Sequence, residues 1–284
     1  MANPSRPLLR YHGGKWKLAP WIIGHFRSHR VYVEPFGGAA SVLLRKERSY
    51  CEVYNDLDGQ IVNLFRVLRN AAQARELMRL VALTPYARSE FDQTYIIADD
   101  PIEQARRTLF RSMAGFSTAG ATGKWRTGFR GNATRTGTAP AADWRSFPVA
   151  LDQIVDRLRG VVIECEDAPS IINRYDGPEA LMYVDPPYPF ITRYVRWAGE
   201  AYSHEMSDDE HRILADHLRA CRGKVIVSGY ACTLYDEELY STWYRVERQT
   251  HADGAKDRVE VLWMNYEPEL PLFAPSDNVD GKGL

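Results

Sequence analysis

Five short apolar runs constrain this chain most: Val31–Glu34, Glu52–Asn55, Val161–Glu164, Leu181–Val184 and Lys224–Ser228. They are rich in Val and Ile, which suits strands buried on both faces of a parallel sheet. Helical patterns separate them, and that alternation predicts an α/β fold. After the second run, Ile61, Val62, Leu64, Phe65 and Leu68 fall on one helical face. Asp100-Pro101-Ile102-Glu103 and Ser207-Asp208-Asp209-Glu210 read as helix starts, the second a capping box. A short helix is expected over Ser41–Lys46. Two later runs, Trp243–Glu247 and Val259–Asn265, predict an antiparallel hairpin joined by the polar stretch Thr250–Asp257.

Composition narrows the class. Of 284 residues, 45% are hydrophobic and 26% charged, which excludes disorder across most of the chain. No stretch approaches about 18 uncharged apolar residues, so no membrane span is expected. The N-terminus carries no apolar secretory core. Cys51, Cys165, Cys221 and Cys232 are scattered without C-x-x-C spacing, which points to free, buried thiols in a reducing cytoplasm rather than a zinc site or a disulfide framework.

Between the second and third apolar runs lie about 105 residues, far more than a strand–helix–strand connection needs. An insertion is therefore expected, and its charge is unlike the rest. From Gln104 to Ala150 there are eight basic residues (Arg106, Arg107, Arg111, Lys124, Arg126, Arg130, Arg135 and Arg145) against Asp143 alone. That leaves 28 basic and 36 acidic residues elsewhere, out of totals of 36 and 37. A +7 segment in an otherwise acidic chain is the footprint of a polyanion-binding surface or a solvated helix face. Glycines and the aromatics Phe116, Trp125, Phe129 and Trp144 interleave with the arginines, as on surfaces that wrap nucleic acid. The expected organisation is a sheet domain from residues 1–70 and 160–267, an inserted region at 71–159, and a flexible tail at 268–284.

Three motifs sit where strands are expected to end. Val33-Glu34-Pro35-Phe36-Gly37-Gly38-Ala39-Ala40-Ser41 is a turn whose glycines let backbone approach a ligand closely. Asp56 follows Gly37 by 19 residues, where an acid grips a nucleoside ribose or merely caps the following helix. Asp185-Pro186-Pro187-Tyr188 is a stiff loop, because each proline fixes φ and extends the residue before it. The Asp185 carboxylate and the Pro186 carbonyl are two acceptors, matched to the two hydrogens of an exocyclic amine. Tyr188 is suited to stack on a base, unless the loop is an ordinary rigid turn with the tyrosine packed inward. A fourth motif, Arg10-Tyr11-His12-Gly13-Gly14-Lys15, is ambiguous by itself.

Taken in order, R-Y-H-G-G-K, V-E-P-F-G-G-A, V-Y-N-D and D-P-P-Y resemble the Dam-type (class α, D12) DNA adenine-N6 methyltransferases over roughly residues 8–70 and 160–265. The resemblance implies a Rossmann-like methyltransferase sheet, mostly parallel with a C-terminal antiparallel hairpin, carrying an inserted target-recognition region. It implies S-adenosyl-L-methionine as methyl donor, without a metal, and double-stranded DNA as partner. It places Tyr11, Lys15 and the turn residues Glu34, Phe36, Gly37, Gly38 and Ala39 at the donor, with Asp56 at its ribose. Asp185 falls where donor and target meet, with Pro186, Pro187 and Tyr188 completing the catalytic loop. Arg111, Lys124, Arg126, Arg130 and Arg135 of the insertion are the candidate DNA contacts. The sequence departs from the family at Ala40, often glycine, and at Tyr11, often tryptophan.

The chemistry implied is attack by an adenine N6 lone pair on a sulfonium methyl, after the base has been flipped from the duplex at a cost of a few kcal/mol. Tyr230, in Ser228-Gly229-Tyr230, is a further candidate for lining the base pocket. Competing expectations are an N4-cytosine or RNA adenine methyltransferase, a dinucleotide dehydrogenase that lacks the full glycine fingerprint, and a non-catalytic DNA-binding protein. His204, Glu205, Asp208 and His211 flank the capping box and read as an exposed helix start rather than a metal cluster.

Overall fold

The computed structural model describes residues 4–116, 126–131, 139–192, 204–251 and 257–268. Its centre is one seven-stranded sheet in the order β3-β2-β1-β4-β5-β7-β6. The strands are β1 (Val31–Glu34), β2 (Cys51–Asn55), β3 (Val161–Glu164), β4 (Ala180–Val184), β5 (Lys224–Tyr230), β6 (Tyr244–His251) and β7 (Asp257–Met264). The first five are parallel, whereas β7 runs antiparallel to both β5 and β6. This is the mostly parallel, Rossmann-like sheet with a C-terminal hairpin that the sequence predicts. Of the loop joining the hairpin, residues 252–256 lie outside the described residues.

Side chains alternate across the sheet and split the core in two. Tyr32, Tyr54, Leu181, Tyr183, Ile226 and Leu262 share one buried cluster with Phe65, Leu109, Phe110, Phe147 and Leu151 from helices. Val33, Val53, Met182, Val184, Val227 and Trp263 share the other with Ile171, Ile172, Leu214 and Leu218. Burying a side chain of this size stabilises by about 1.5–3 kcal/mol, so a helix layer on each face follows from strands that are apolar on both sides.

The first layer is α2 (Gly59–Arg69), α3 (Ala71–Leu83), α4 (Arg88–Gln93), α5 (Pro101–Ala114) and α6 (Pro140–Leu158). The second is α7 (Ala168–Tyr175) and α8 (Asp208–Ala220); a short α1 (Ala19–Ile23) precedes the sheet. Caps fix the starts. Asp58 accepts from the amides of Gln60 and Ile61, Asp100 from Glu103, and Asp167 from Ser170. Ser207 and Glu210 form the expected capping box of α8.

Two expectations need correction. Ser41–Lys46 is a series of turns, not a helix. The Leu44 amide donates to the Ala40 carbonyl, but the next amide, Arg45, donates to Val42 rather than Ser41, so the i→i+4 ladder of a regular helix is interrupted. The four cysteines are free but partly exposed rather than buried. Within the region expected as an insertion, α5 and α6 pack into the same hydrophobic cluster as the sheet. The expected tail lies outside the described residues from residue 269 onward.

Candidate active site

The chain leaves β1 toward β2 and β3 on one side and returns to β4 and β5 on the other. The loops after β1 and β4 therefore diverge, and a crevice opens at the carboxyl ends of those strands. A cavity of about 580 Å³ lies there, a size that suits a nucleoside-scale ligand. Residues 11–15, the turn after β1, Asp56–Asp58, Asp167–Pro169, Tyr183, Asp185, Pro187 and residues from His204 to Leu214 contribute to its wall.

The turn after β1 is held tightly. The Gly37 amide donates to the Asn55 carbonyl at 2.7 Å, and a Cβ at Gly37 would lie 2.1 Å from the Tyr54 ring. Gly38 has φ +48°; its amide donates to Asp56 Oδ2 at 2.8 Å and its carbonyl accepts from the Tyr54 hydroxyl at 2.7 Å. Tyr11 packs so closely on Gly38 that a Cβ there would approach its ring to 2.9 Å. The Asp56 Oδ1 accepts from the Asp58 amide, which ties the expected ribose-gripping acid to the capping acid of α2. Burial pushes the Asp56 carboxyl up to about 6, against the pull of those two amides. Glu34 is enclosed further. It accepts from the Tyr32 hydroxyl and the Leu43 amide, both at 2.7 Å, and burial pushes it up to about 7. Ala39 is buried, Phe36 is half-buried, and the Ser41 hydroxyl in the same wall has no hydrogen-bond partner among the described residues.

Asn55 connects three loops. Its Nδ2 donates to the carbonyls of Pro35 and Glu166, and its Oδ1 accepts from the Glu166 amide, all at 2.9 Å. The turn after β1 and the loop after β3 are thereby clamped around the end of β2.

Asp185 stands at the cavity with its two oxygens in different situations. Oδ1 pairs with Lys15 Nζ at 2.9 Å and accepts from Ser228 Oγ at 2.8 Å. Ser228 in turn meets the Tyr183 hydroxyl at 3.0 Å. Oδ2 and the Pro186 carbonyl accept no hydrogen bond among the described residues. Lys15 also donates to the Gly13 carbonyl at 2.8 Å, lies 3.5 Å from Glu260, and sits 4.8 Å from the centroid of the Tyr188 ring.

Tyr188 is packed inward. It is 5% exposed, its hydroxyl donates to Glu260, and Tyr230 meets its ring edge-on at 4.8 Å. The ring has little exposed surface in this arrangement.

The candidate DNA contacts divide as well. Arg111 is 2% exposed, and its guanidinium is consumed by the Thr94 carbonyl and Gln60, so it is a core group and not a phosphate contact. Arg106 and Arg107 are likewise drawn off by Glu103, and Arg106 by Glu90 as well. Arg126 is exposed, with its guanidinium 5.2 Å from the Tyr95 centroid, and half-buried Arg130 donates to the Met113 carbonyl at 3.0 Å. Lys124 and Arg135 lie outside the described residues.

Sequence reasoning missed Glu260, Ser228, the clamp at Asn55, and Asp167–Pro169. Glu260 carries a signal, an acid set among Val259, Val261, Leu262, Trp263 and Met264. Asp167-Ala168-Pro169 has the acid-then-proline pattern of a capped helix, directly after a strand. Among the described residues no group of His, Cys, Asp and Glu is arranged to hold a metal, and no helix is long and apolar enough to cross a membrane.

Comparison with known proteins gives the same picture. The DNA adenine methylase of Escherichia coli (strain K12) is 23% identical over 283 residues, covering 93% of this chain and 96% of that protein. That of Salmonella typhi is also 23% identical over 283 residues, and that of Vibrio cholerae serotype O1 (strain ATCC 39541 / Classical Ogawa 395 / O395) is 22% identical over 282, covering 94% of this chain and 98% of the relative. The family described as D12 class N6 adenine-specific DNA methyltransferase matches residues 11–252. With that match spanning the strands and loops that build the cavity, the chain belongs to the D12 class of N6 adenine-specific DNA methyltransferases.

Proposed function

We propose that this DNA adenine-N6 methyltransferase uses S-adenosyl-L-methionine as donor and acts on an adenine flipped out of double-stranded DNA. The donor's fit rests on the wall of the cavity. Glu34, Asp56 and Asp185 make it acidic, which suits a cationic sulfonium, and Asp56 is available to a ribose. The unpartnered Ser41 hydroxyl is a buried polar atom that a ligand would satisfy. When bound, the donor supplies an electrophilic methyl group on a positively charged sulfur. Tyr11, Lys15, Glu34 and Phe36–Ala39 are the residues assigned to holding it.

The remaining steps belong to the chain. Adenine's amino lone pair is delocalised into the ring and is a poor nucleophile. Asp185 Oδ2 and the Pro186 carbonyl each accept a hydrogen bond from one N6 hydrogen, which favours a pyramidal nitrogen whose lone pair faces the methyl. As the nitrogen–methyl bond forms the methyl–sulfur bond breaks, and the nitrogen gives up one proton. Lys15 and Ser228 hold Oδ1, so the carboxylate does not rotate away from the amine. Pro186 and Pro187 keep the loop stiff, and catalysis comes from positioning and electrostatics. The single observation that carries this reading is the divided Asp185 carboxylate, tied at one oxygen and, among the described residues, open at the other.

Residues 71–159 serve as the target-recognition region in this reading, with Arg126 and Arg130 as the described candidates for DNA contact. The rest of the chain to residue 267 forms the catalytic domain, and the cytoplasm is its compartment. Incubation with duplex DNA and donor, followed by mass spectrometry of the nucleosides, should yield N6-methyladenine. N4-methylcytosine in its place, or methylation of RNA alone, would contradict the reading.

A further inference from the structure

Glu260 is an acid that the chemistry above does not use. It lies on β7, is 3% exposed, and does not line the cavity. Because β7 runs antiparallel to β5, its first half reaches the end of the sheet where the site is built, and Glu260 sits in register with Tyr230. Its carboxylate accepts from the Tyr188 hydroxyl and lies 3.5 Å from Lys15 Nζ. Burial pushes its carboxyl upward, while Lys15 pulls it back. A buried carboxylate is costly unless paired and hydrogen-bonded, so the arrangement needs a reason beyond packing.

The reason lies in what its two partners touch. Tyr188 is the last residue of the diproline loop, three residues after Asp185. Lys15 comes from the N-terminal loop and bears on Asp185 Oδ1. One carboxylate on a rigid strand therefore holds both the far end of the acceptor loop and the cation that orients its carboxylate. Lys15 is also shared between two acids. An ammonium divided in this way withdraws less from Asp185 than one bound to Asp185 alone, which leaves Asp185 a stronger acceptor for the amine hydrogen.

We infer that Glu260 is a positioning residue for methyl transfer, acting through Tyr188 and Lys15 to set the geometry and acceptor strength of the Asp185–Pro186 pair. The inference rests on the proposed role of Asp185, so both are tested side by side. The experiment is single-turnover methyl transfer on duplex DNA by the full chain, with donor and DNA affinities and melting temperature measured on each variant.

Glu260→Gln keeps the volume and an oxygen for Tyr188 but removes the charge. The expected result is a transfer rate roughly 10- to 100-fold lower, with donor and DNA affinities within about threefold of the parent. Glu260→Asp should recover part of the rate. Tyr188→Phe, which leaves Glu260 beside Lys15, should slow transfer at least about tenfold. The double variant Glu260→Gln/Tyr188→Phe should be little slower than the slower single one, as for groups acting as a unit. A merely structural Glu260 would lower the melting temperature without splitting rate from affinity, and its effect would multiply with that of Tyr188→Phe. Parental rates in Glu260→Gln while Asp185→Ala is inactive would overturn the inference alone. Parental rates in Asp185→Ala would overturn the reading beneath it. If Glu260→Gln does not fold, Tyr188→Phe decides: a parental rate there overturns the inference.

Discussion

Asn55→Ala is expected to loosen the donor cavity without touching the reacting groups. Asn55 makes three side-chain hydrogen bonds at 2.9 Å to Pro35 and Glu166. Truncation orphans the Pro35 carbonyl in a buried turn, at about 1–3 kcal/mol, whereas the half-buried Glu166 groups regain water and lose about 1 kcal/mol between them. The sum is about 3 kcal/mol, which corresponds to a melting temperature roughly 6–12 °C lower for a domain near this size. Pro35 and Asp167–Pro169 both line the cavity, so donor affinity should fall about tenfold. Asn55→Asp should be worse than Asn55→Ala, because it aims a carboxylate at two carbonyl oxygens. The assays are thermal unfolding and donor titration by calorimetry, with DNA affinity as the control. An Asn55→Ala protein that melts within about 2 °C of the parent and binds donor equally well would refute the clamp.

Further predictions concern groups in the same neighbourhood. Glu34, pushed up to about 7 by burial from an ordinary 4.5, binds its proton more tightly folded than unfolded, so the stability it contributes is present below about pH 4.5 and is lost as pH rises to about 7, by at most about 1.4 kcal/mol per unit. Glu34→Gln should flatten that part of the pH–stability curve and raise the melting temperature at pH 8; parallel curves for parent and variant would contradict it. Gly37→Ala must displace the Tyr54 ring, which its Cβ would approach to 2.1 Å, and should weaken donor binding at least about tenfold in the same calorimetric titration. Arg126→Ala should reduce the log–log salt slope of DNA binding by about one, while Arg111→Ala should lower the melting temperature and leave the slope unchanged; the reverse pattern would show the core and surface assignments to be wrong.

What could be read from the sequence follows physical lines. The five parallel strands are legible because a strand covered on both faces must be apolar throughout, and Val31–Glu34 and Val161–Glu164 begin and end where the pattern places them. The capping box at Ser207–Glu210 and the start of α5 are equally local and equally visible. Residues brought together from distant segments are not. Lys15, Asp185, Ser228 and Glu260 meet only because β4 sits between β1 and β5, and β7 doubles back beside β5. The basic segment misleads for a related reason. Its charge is a sum along the chain, whereas Arg106 is spent on Glu90 and Glu103, and Arg111 on Thr94 and Gln60. Tyr188 shows the same limit, since the motif fixes its backbone but not which side chain its hydroxyl finds.

The most direct test of the acceptor pair is rapid-quench methyl transfer by Asp185→Asn under single-turnover conditions, with donor and DNA saturating. The amide keeps the shape of the carboxylate and removes its charge. Transfer slowed by about 10³-fold or more, with both affinities near parental, is the result required if Asp185 accepts the amine hydrogen. Transfer at the parental rate would show that the nitrogen is activated by some other group.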